Sequence, residues 1–235
     1  MLSRIQILQL ESPAMELRQA ISERKSIRFF KPDPVPRDLI NKVLAAGMLA
    51  PSSANMQPWD FVVIGGEEKN RLSRALLQEF SDKGRDYDFA GKEIKFPDRF
   101  LKRRRIFFDE LFQKLKDRGL DPKPFVQEST FRFWEAPVAI LVFMDGRMAK
   151  RFLFDIGTCV QNIVLAAQAE GLGSHLIGLI LKFQNTIKTF LHIPLDKRLV
   201  VGICLGYPDT TDPINDFQPQ RINLDEAVKW IGINE

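Results

Sequence analysis

The 235-residue sequence predicts one domain of mixed helices and strands, an α+β or α/β sandwich. The length lies within the range of a single domain, and the balance of 45% hydrophobic and 27% charged residues is typical of a globular protein. Short apolar runs alternate with segments of helical spacing. No internal repeat, low-complexity tract or long linker divides the chain, so residues 1–235 are predicted to form a single domain.

Four elements are predicted in the first part of the chain. They are a helix that starts at Ser12-Pro13 and runs to about Arg24, a helix over Pro36–Ala50, a strand over Trp59–Ile64 and a helix over Glu67–Phe80. The apolar faces of the first two helices contain Leu17, Ala20 and Ile21, and Leu39, Ile40, Val43, Leu44 and Gly47. Pro51 ends the second helix and Gly65-Gly66 ends the strand.

The rest of the chain predicts three more strands among helices. The strands are Val138–Met144, Ser174–Ile180 and Leu199–Leu205, and the helices are Phe100–Leu115, Phe152–Glu170, Phe183–Leu191 and an amphipathic stretch at Leu224–Ile231. The pattern from Gly84 to Pro97 is weak. Val138–Met144 is apolar throughout, which predicts a strand covered on both faces of the sheet.

The charge and the cysteines bear on ligands and compartment. A net charge of +4 fits a phosphate-bearing ligand or weak nucleic-acid contact as well as a solvated surface with a small positive excess. Cys159 and Cys204 lie far apart in apolar runs, which favours buried free thiols and a reducing compartment. Met1–Leu10 lacks the apolar core of a signal peptide, and no apolar run approaches a membrane span. A cytoplasmic protein is expected.

A search for catalytic side chains finds no complete set. Neither His175 nor His192 has Cys, Asp or Glu at metal-ligand spacing, so no metal site is predicted, and His192 is expected to end a helix. No nucleophile elbow, phosphate-binding P-loop or dinucleotide fingerprint is present. If the protein is an enzyme, a cofactor is expected to perform the difficult step.

Three segments stand out, and each also has a purely structural interpretation. Arg24–Phe30 places three cations and a serine after a helix, which suits phosphate or forms a solvated surface. Ala50–Trp59 offers polar groups between two prolines, which could follow a planar heterocycle or form a turn. Gly171–Ser174 permits close backbone approach or caps a helix.

Together, in this order and spacing, these segments resemble the nitroreductase family of flavoproteins. Arg24–Phe30 matches the signature Arg-Arg/His-Ser-x-Arg/Lys-x-Phe, and Pro51–Trp59 meets Pro-Ser-Ser-x-Asn-x-Gln-Pro-Trp in full. A core helix ending in Gly-Leu-Gly-Ser, a strand ending in Gly-Tyr-Pro and a C-terminal basic segment are matched by Asp155–Ser174, Leu205–Pro208 and Arg221. The resemblance covers about Leu17 to Trp230.

The resemblance implies an α+β three-layer sandwich with a central, mostly antiparallel sheet flanked by helices. It also implies a homodimer that exchanges terminal segments, with two FMN sites at the subunit interface. Carried over position by position, the cofactor-binding residues would be Arg24, Lys25, Ser26, Arg28, Pro51, Ser52, Ser53, Asn55, Leu176, Ile177, Gly178 and Arg221. Pro51–Asn55 would come from the partner subunit, and the stretch from Leu176 aligns loosely.

The residues take distinct roles in that expectation. Arg24, Lys25, Ser26 and Arg221 would hold the phosphate and ribityl chain, while Arg28 would lie at the pyrimidine edge and favour the negative charge of the reduced ring. Many relatives have a Lys two residues before the final Arg, where this chain has Pro219, so fewer cations would hold the phosphate.

The variable segment, approximately residues 84–134, would form a helical cover over the substrate face and set substrate choice. It contains Lys102-Arg103-Arg104-Arg105. The 2′-phosphate of NADPH needs a nearby cation, and Lys102, Arg103 or Arg104 could supply it. The preference between NADH and NADPH therefore stays open at the level of sequence.

The expected function is an FMN-dependent oxidoreductase that takes electrons from NADH or NADPH and passes them to nitroaromatic, quinone or related acceptors by a ping-pong mechanism. No protein acid or base is required, because the flavin performs the redox step. The alternatives are a specialised flavin enzyme for ene reduction, dehalogenation or flavin breakdown, and an FMN-binding protein without turnover. A nucleic-acid module at Lys102–Arg105 is a weaker alternative, since such runs usually form a solvated helix face.

Overall fold

The computed structural model describes residues 15–82 and 96–233. The start predicted at Ser12-Pro13, the Met1–Leu10 segment and most of Gly84–Pro97 lie outside the described residues. The described part contains a four-stranded sheet of β1 (Asp60–Gly65), β2 (Val138–Asp145), β3 (Gly173–Ile177) and β4 (Lys197–Gly206). Its order is β1-β2-β4-β3 and every neighbouring pair is antiparallel, as the family resemblance implies.

Eight α-helices surround this sheet in the described residues. They are α1 (Leu17–Glu23), α2 (Arg37–Met48), α3 (Gly66–Asp82), α4 (Asp98–Asp117), α5 (Pro122–Phe131), α6 (Leu153–Ala169), α7 (Gln184–Phe190) and α8 (Leu224–Ala227). The helices and strands predicted from periodicity are all present, with shifted ends. Helix α5 was not predicted, because Pro122 indicated only the end of the preceding helix, whereas it also occupies the first turn of a new one.

The sheet lies between two hydrophobic layers, which confirms the three-layer α+β fold. Successive side chains of a strand point to opposite faces, so Ile140 and Val142 of β2 pack in the layer that α2 and α6 build. Leu141 and Phe143 pack in the other layer, together with α3, α4, α5 and α7. The entire β2 strand is buried up to Met144, as its apolar run predicts.

The helical segment Lys150–Ala169, which contains α6, is long and apolar enough to cross a membrane by length and composition alone. The sequence pattern had predicted no membrane span. In the fold α6 packs against α2 and lines the sheet with Ile156, Cys159 and Ile163. Gly47 of α2 allows the close approach, because a Cβ at this position would collide with Ile163. This is the packing of a core helix.

Three element predictions need correction. Of the apolar face of α1 only Ala20 is buried, because this seven-residue helix packs mainly on α6 and leaves Leu17 and Ile21 exposed. Strand β3 ends at Ile177, since the chain then turns into a 3-10 helix over Leu179–Phe183. The last helix stops at Ala227, because Val228 adopts an extended backbone.

Candidate functional site

The segment Arg24–Lys31 is fixed against the edge strand β3 and the end of its neighbour β4. The Ile27 amide donates to the Ser174 carbonyl at 2.9 Å, and the Lys31 amide donates to the Tyr207 carbonyl at 2.9 Å. Gly173 is required by this approach, since a Cβ there would lie 2.6 Å from Ile27 Cγ1. Gly171 has a positive φ at the end of α6, so the Gly-Leu-Gly-Ser motif both caps a helix and admits a neighbouring backbone.

Asn215 is a structural residue of this region that the sequence analysis did not identify. Its Oδ1 accepts the amide of Arg28 at 2.8 Å and that of Phe29 at 3.2 Å. Its Nδ2 donates to the carbonyls of Phe29 at 2.7 Å and Asp209 at 2.9 Å. Three of the four bonds link Asn215 to the distant residues Arg28 and Phe29, and an asparagine in a polar, proline-containing tail carries no sequence signal for such a role. It holds the backbone that presents Arg28.

Arg28 lies at a cavity of about 200 Å³ on the α4 and α5 side of the sheet. The residue is 6% exposed, its guanidinium lies 5.4 Å from the Phe217 ring centroid, and Nη1 donates to the Ser26 carbonyl at 3.3 Å. Burial lowers the pKa of Arg28 to about 10, so it is charged at neutral pH. Its buried Nε–H has no hydrogen-bond partner, and among the described residues no carboxylate pairs with it.

His175 lines the same cavity and was not assigned a role from the sequence. Its ring stacks on Trp134 with centroids 4.7 Å apart, and Nδ1–H donates to the Ile27 carbonyl at 3.1 Å. Burial, and to a smaller extent the charge of Arg28, lower the pKa of His175 to about 3. The imidazole is therefore neutral at physiological pH and cannot supply a proton.

Trp134 is held by an unusual backbone. Phe133, Trp134 and Glu135 have φ angles of 54°, 52° and 55°, a left-handed conformation that costs roughly 1–2 kcal/mol for each residue with a Cβ. Trp134 is buried, and its Nε1–H has no hydrogen-bond partner. Arg28 and Trp134 thus bring two unsatisfied donors to one cavity, which suits a ligand with acceptor atoms.

Leu176, Ile177 and Gly178, which the resemblance assigns to the flavin, line the same cavity. Leu176 is exposed and Ile177 is buried. The structure therefore joins Arg28 with the predicted stretch at the end of β3.

Pro51, Ser52, Ser53 and Asn55 lie elsewhere, at the first turn of α6. The Ser53 amide donates to Asp155 Oδ2 at 3.0 Å, and the Thr158 hydroxyl lies 3.4 Å from the Pro51 carbonyl oxygen. The flanking Ala50 and Trp59 belong to the α2 and α6 layer, so the sheet separates this loop from the Arg28 cavity within one chain. Asp155 therefore positions this loop, a role that the sequence pattern did not indicate.

The loop itself has a strained and well-connected backbone. Ala54, Asn55 and Gln57 have φ angles of 51°, 56° and 47°, and the Gln57 amide donates to Ser52 Oγ at 3.0 Å. Strain of this kind persists where the surroundings hold it, and it is frequent at binding sites. A defined loop conformation follows, with its polar groups presented at the surface.

The remaining predicted cations divide between two places. The pKa of Arg24 is lowered first by burial and then by the positive charge of Arg221. Such a pair of like charges suits an anion between them. Lys25 instead lies 3.4 Å from Asp216 and lines a separate cleft with Gly173. The structure does not bring Lys25 to the Arg28 cavity.

The described residues contain no cluster of three or more His, Cys, Asp or Glu that could hold a metal ion. The side chains of the basic run Lys102–Arg105 do not all lie on one surface. Lys102 and Arg103 line one cleft with Arg221, while the Arg104 guanidinium lies 5.6 Å from the Phe108 ring centroid. The run is therefore not one continuous basic stripe of the kind that follows a nucleic-acid backbone.

A helix-covered antiparallel sheet with a buried arginine beside a cavity defines an α+β domain with a candidate ligand site, and the comparisons identify its family. The family model described as Nitroreductase family matches residues 21–207, so the chain belongs to the nitroreductase family. It is similar to a 4-nitrobenzoate reductase from Pseudomonas putida, with 31% identity over 91% of this chain and 95% of the relative.

Two solved structures have the same fold. The FMN-dependent nitroreductase NfnB from Mycobacterium smegmatis in complex with NADPH is 26% identical, covers 92% of this chain and 100% of that chain, and superposes with a TM-score of 0.80. The FMN and NADPH-dependent nitroreductase NfnB from Sphigopyxis sp. strain HMH is 25% identical, covers 93% and 100%, and has a TM-score of 0.84.

Proposed function

We propose that the protein is an FMN-dependent NAD(P)H oxidoreductase that reduces nitroaromatic, quinone or related acceptors. The observation that carries the proposal is Arg28, a buried cation beside a cavity without a described carboxylate partner. A buried charge without a counter-ion is costly, and a ligand with partial negative charge would compensate it. The names of the relatives describe nitro reduction with FMN and NADPH, which we extend to this chain.

The residues present fit FMN. The free Nε–H of Arg28 and Nε1–H of Trp134 match the acceptor atoms at the edge of a flavin ring, and the Arg24–Arg221 pair matches its phosphate. In this proposal Arg28 holds the ring, Arg24, Ser26 and Arg221 hold the phosphate and ribityl chain, and Leu176 to Gly178 line the ring. Lys25 would join the phosphate contacts only after release from Asp216.

A homodimer would complete the site. The cavity of about 200 Å³ is smaller than the roughly 300–1,000 Å³ of typical ligand pockets, so one chain forms only part of a flavin site. The loop Pro51–Asn55 lies on the other face of the sheet and is surrounded by exposed apolar side chains, namely Leu49, Met56 and Phe154. Exposed apolar patches of this kind mark subunit interfaces. The partner's loop would then close the ring site.

The side chains at the cavity orient the ligands and exclude water. The bound FMN supplies the electron transfer between nicotinamide donor and acceptor. Arg28 would stabilise negative charge at its end of a bound flavin ring, because a buried and preorganised cation acts strongly. His175 stays neutral and keeps the cavity free of a competing positive charge. Donor and acceptor contact the same walls in turn, which predicts ping-pong kinetics.

Flavin content and the Arg28→Ala variant test the proposal. Purified protein is expected to be yellow, to release FMN on denaturation and to oxidise NADH or NADPH with a nitroaromatic or quinone. Arg28→Ala should weaken FMN binding by roughly tenfold or more and lower the flavin potential, because a charge-assisted contact is lost. Fluorescence titration and equilibration with redox dyes measure these two quantities.

Arg147→Ala is the matched control, because Arg147 is an exposed arginine paired with Asp145. It should leave FMN affinity and potential unchanged. A colourless protein that cannot be reconstituted with FMN would refute the proposal. An FMN-loaded protein that no nucleotide reduces would support the non-catalytic alternative instead.

We also infer a cytoplasmic location. Cys159 and Cys204 are buried free thiols, and burial raises the pKa of Cys159 to about 12 and that of Cys204 still higher. Unpaired thiols fit a reducing compartment. Fractionation of the source cells with immunodetection measures this directly.

A further inference from the structure

We infer that a cleft between α4 and the segment 219–226 binds the 2′-phosphate of NADPH, so that NADPH is the preferred electron donor. The inference rests on the proposed function and names the donor of that same site. The cleft, called here the α4 cleft, has a volume of about 420 Å³ and is lined by Arg99, Lys102, Arg103, Ile106, Phe107 and Glu110 of α4 and by Pro219–Ile222 and Glu226.

One face of α4 builds this cleft. Arg99, Lys102, Arg103, Ile106 and Phe107 follow the spacing that places helical residues side by side. Arg104 is one position off this face and lies over Phe108 instead. The structure thereby separates Lys102 and Arg103 from Arg104 among the candidates that the sequence left open.

The α4 cleft combines basic, acidic and apolar side chains. Its charged lining consists of four cations, Arg99, Lys102, Arg103 and Arg221, and two carboxylates, Glu110 and Glu226. Both carboxylate oxygens of Glu226 already have partners. Oε2 lies 3.5 Å from the Arg103 guanidinium, and Oε1 accepts the Asn223 amide at 3.3 Å. The Arg103–Glu226 pair is exposed and weak, so a dianionic phosphate could take its place.

The guanidinium groups are also held in position. Arg99 and Arg103 lie 4.9 Å and 5.8 Å from the centroid of the same Phe100 ring. A cation stacked on an aromatic ring loses less freedom when it binds an anion. Arg99 and Arg103 are therefore preorganised on one side of the cleft.

Phe107 connects the α4 cleft with the Arg28 cavity, because it lines both. Arg99 lies eight residues away on the same helix, a distance of about 12 Å along the axis at 1.5 Å per residue. A ligand with one ring in the Arg28 cavity would pass Phe107 and place its far end among these cations. The apolar Ile106 and Ile222 offer walls for an aromatic base.

Two phosphate monoesters could bind to these cations, namely the 2′-phosphate of NADPH and the 5′-phosphate of FMN. The charge of Arg221 acts on Arg24, and both serve the FMN phosphate in the proposed function. The cations on α4 have no such link to Arg24 among the described interactions. Because Phe107 joins the α4 cations to the Arg28 cavity, we assign the part of the cleft that α4 builds to NADPH.

Steady-state kinetics of the FMN-loaded enzyme test the inference. The double variant Lys102→Ala and Arg103→Ala should lose about tenfold to a hundredfold in kcat/KM for NADPH, the loss of one or two charge-assisted hydrogen bonds. Its kcat/KM for NADH should stay near that of the unmodified enzyme, because NADH lacks the 2′-phosphate. Arg104→Ala is the control and should change neither value.

Binding measurements separate the two phosphates. In calorimetry, adenosine 2′,5′-bisphosphate should bind the FMN-loaded enzyme more tightly than adenosine 5′-monophosphate, and the double variant should abolish the difference. A double variant that discriminates between NADPH and NADH as the unmodified enzyme does would overturn the inference and leave the proposed function standing. A selective loss of FMN affinity in it would assign the cleft to FMN. If bound FMN is reduced by neither nucleotide, both proposals fall.

Discussion

At the scale of single residues, burial sets the protonation states of the side chains at this site. Arg28 and His175 are ordinary surface residue types, yet both lie at one cavity where the surroundings lower their pKa values to about 10 and about 3. At neutral pH the charged guanidinium of Arg28 therefore lies at the same cavity as the uncharged imidazole of His175. Such an arrangement suits an electron-rich ligand, while the neutral His175 leaves the protons of any reduction to come from another source.

The pKa of His175 predicts an acid-sensitive fold. The ordinary histidine pKa is about 6.5 and the folded value is about 3, so between these values the unfolded chain takes up a proton that the folded protein does not. Stability should therefore fall as the pH falls below about 6.5. The expected loss between pH 6.5 and pH 5 is about 2 kcal/mol, since each pH unit contributes about 1.4 kcal/mol.

Urea denaturation at a series of pH values measures this loss. His175→Phe keeps a ring against Trp134 but removes the titrating nitrogen, so its stability should depend less steeply on pH. The control is His192→Asn, because His192 is the exposed second histidine and has a positive φ that asparagine tolerates. If His175→Phe retains the full pH slope, another group causes the acid sensitivity.

At the scale of elements, the loop after α2 depends on α6. Asp155 is buried in the first turn of α6, where a carboxylate interacts favourably with the helix dipole, and it accepts the Ser53 amide at 3.0 Å. Thr158, on the next turn, contacts the Pro51 carbonyl. The conformation of the Pro-Ser-Ser loop is thus set by another element more than a hundred residues away in sequence.

Asp155→Ala should destabilise the protein by about 1–3 kcal/mol, because a part-buried hydrogen bond from the Ser53 amide to a carboxylate is lost. FMN affinity should fall as well, since the loop is a proposed flavin contact. Asp155→Asn keeps an acceptor oxygen of similar shape and should restore most of both values. Chemical denaturation and FMN fluorescence follow the two effects, and an unchanged FMN affinity in Asp155→Ala would exclude the loop from the flavin site.

At the scale of the whole molecule, the two halves of the proposed flavin site do not meet in one chain. The Arg28 cavity lies in the α4 and α5 layer and the Pro51–Asn55 loop borders the α2 and α6 layer. Two subunits related by a two-fold axis would bring each loop to the partner's cavity, and both sites would form together. Dimerisation and cofactor binding should therefore be coupled.

Phe154→Asp tests this coupling. Phe154 is 76% exposed in the first turn of α6, beside the loop, and a charge there should convert the dimer to monomers and reduce the FMN content. Leu195→Asp is the control, since Leu195 is 73% exposed in the turn before β4 and should leave the dimer intact. Size-exclusion chromatography with light scattering, read together with flavin absorbance, measures both. An unmodified protein that binds FMN fully as a monomer would contradict the coupling.

Local sequence patterns were enough to predict a mixed α+β or α/β sandwich, most of its helices and strands, and the segments that carry the family's motifs, while the choice of α+β came from the family resemblance. Apolar periodicity encodes which face of an element is buried, and prolines and glycines such as Pro51 and Gly171 mark where elements end. Only the tertiary structure identified Asn215, Asp155, His175 and Trp134, because their partners are remote in sequence. It also decided that Lys102 and Arg103, but not Arg104, line the α4 cleft, since the orientation of a helix depends on what it packs against.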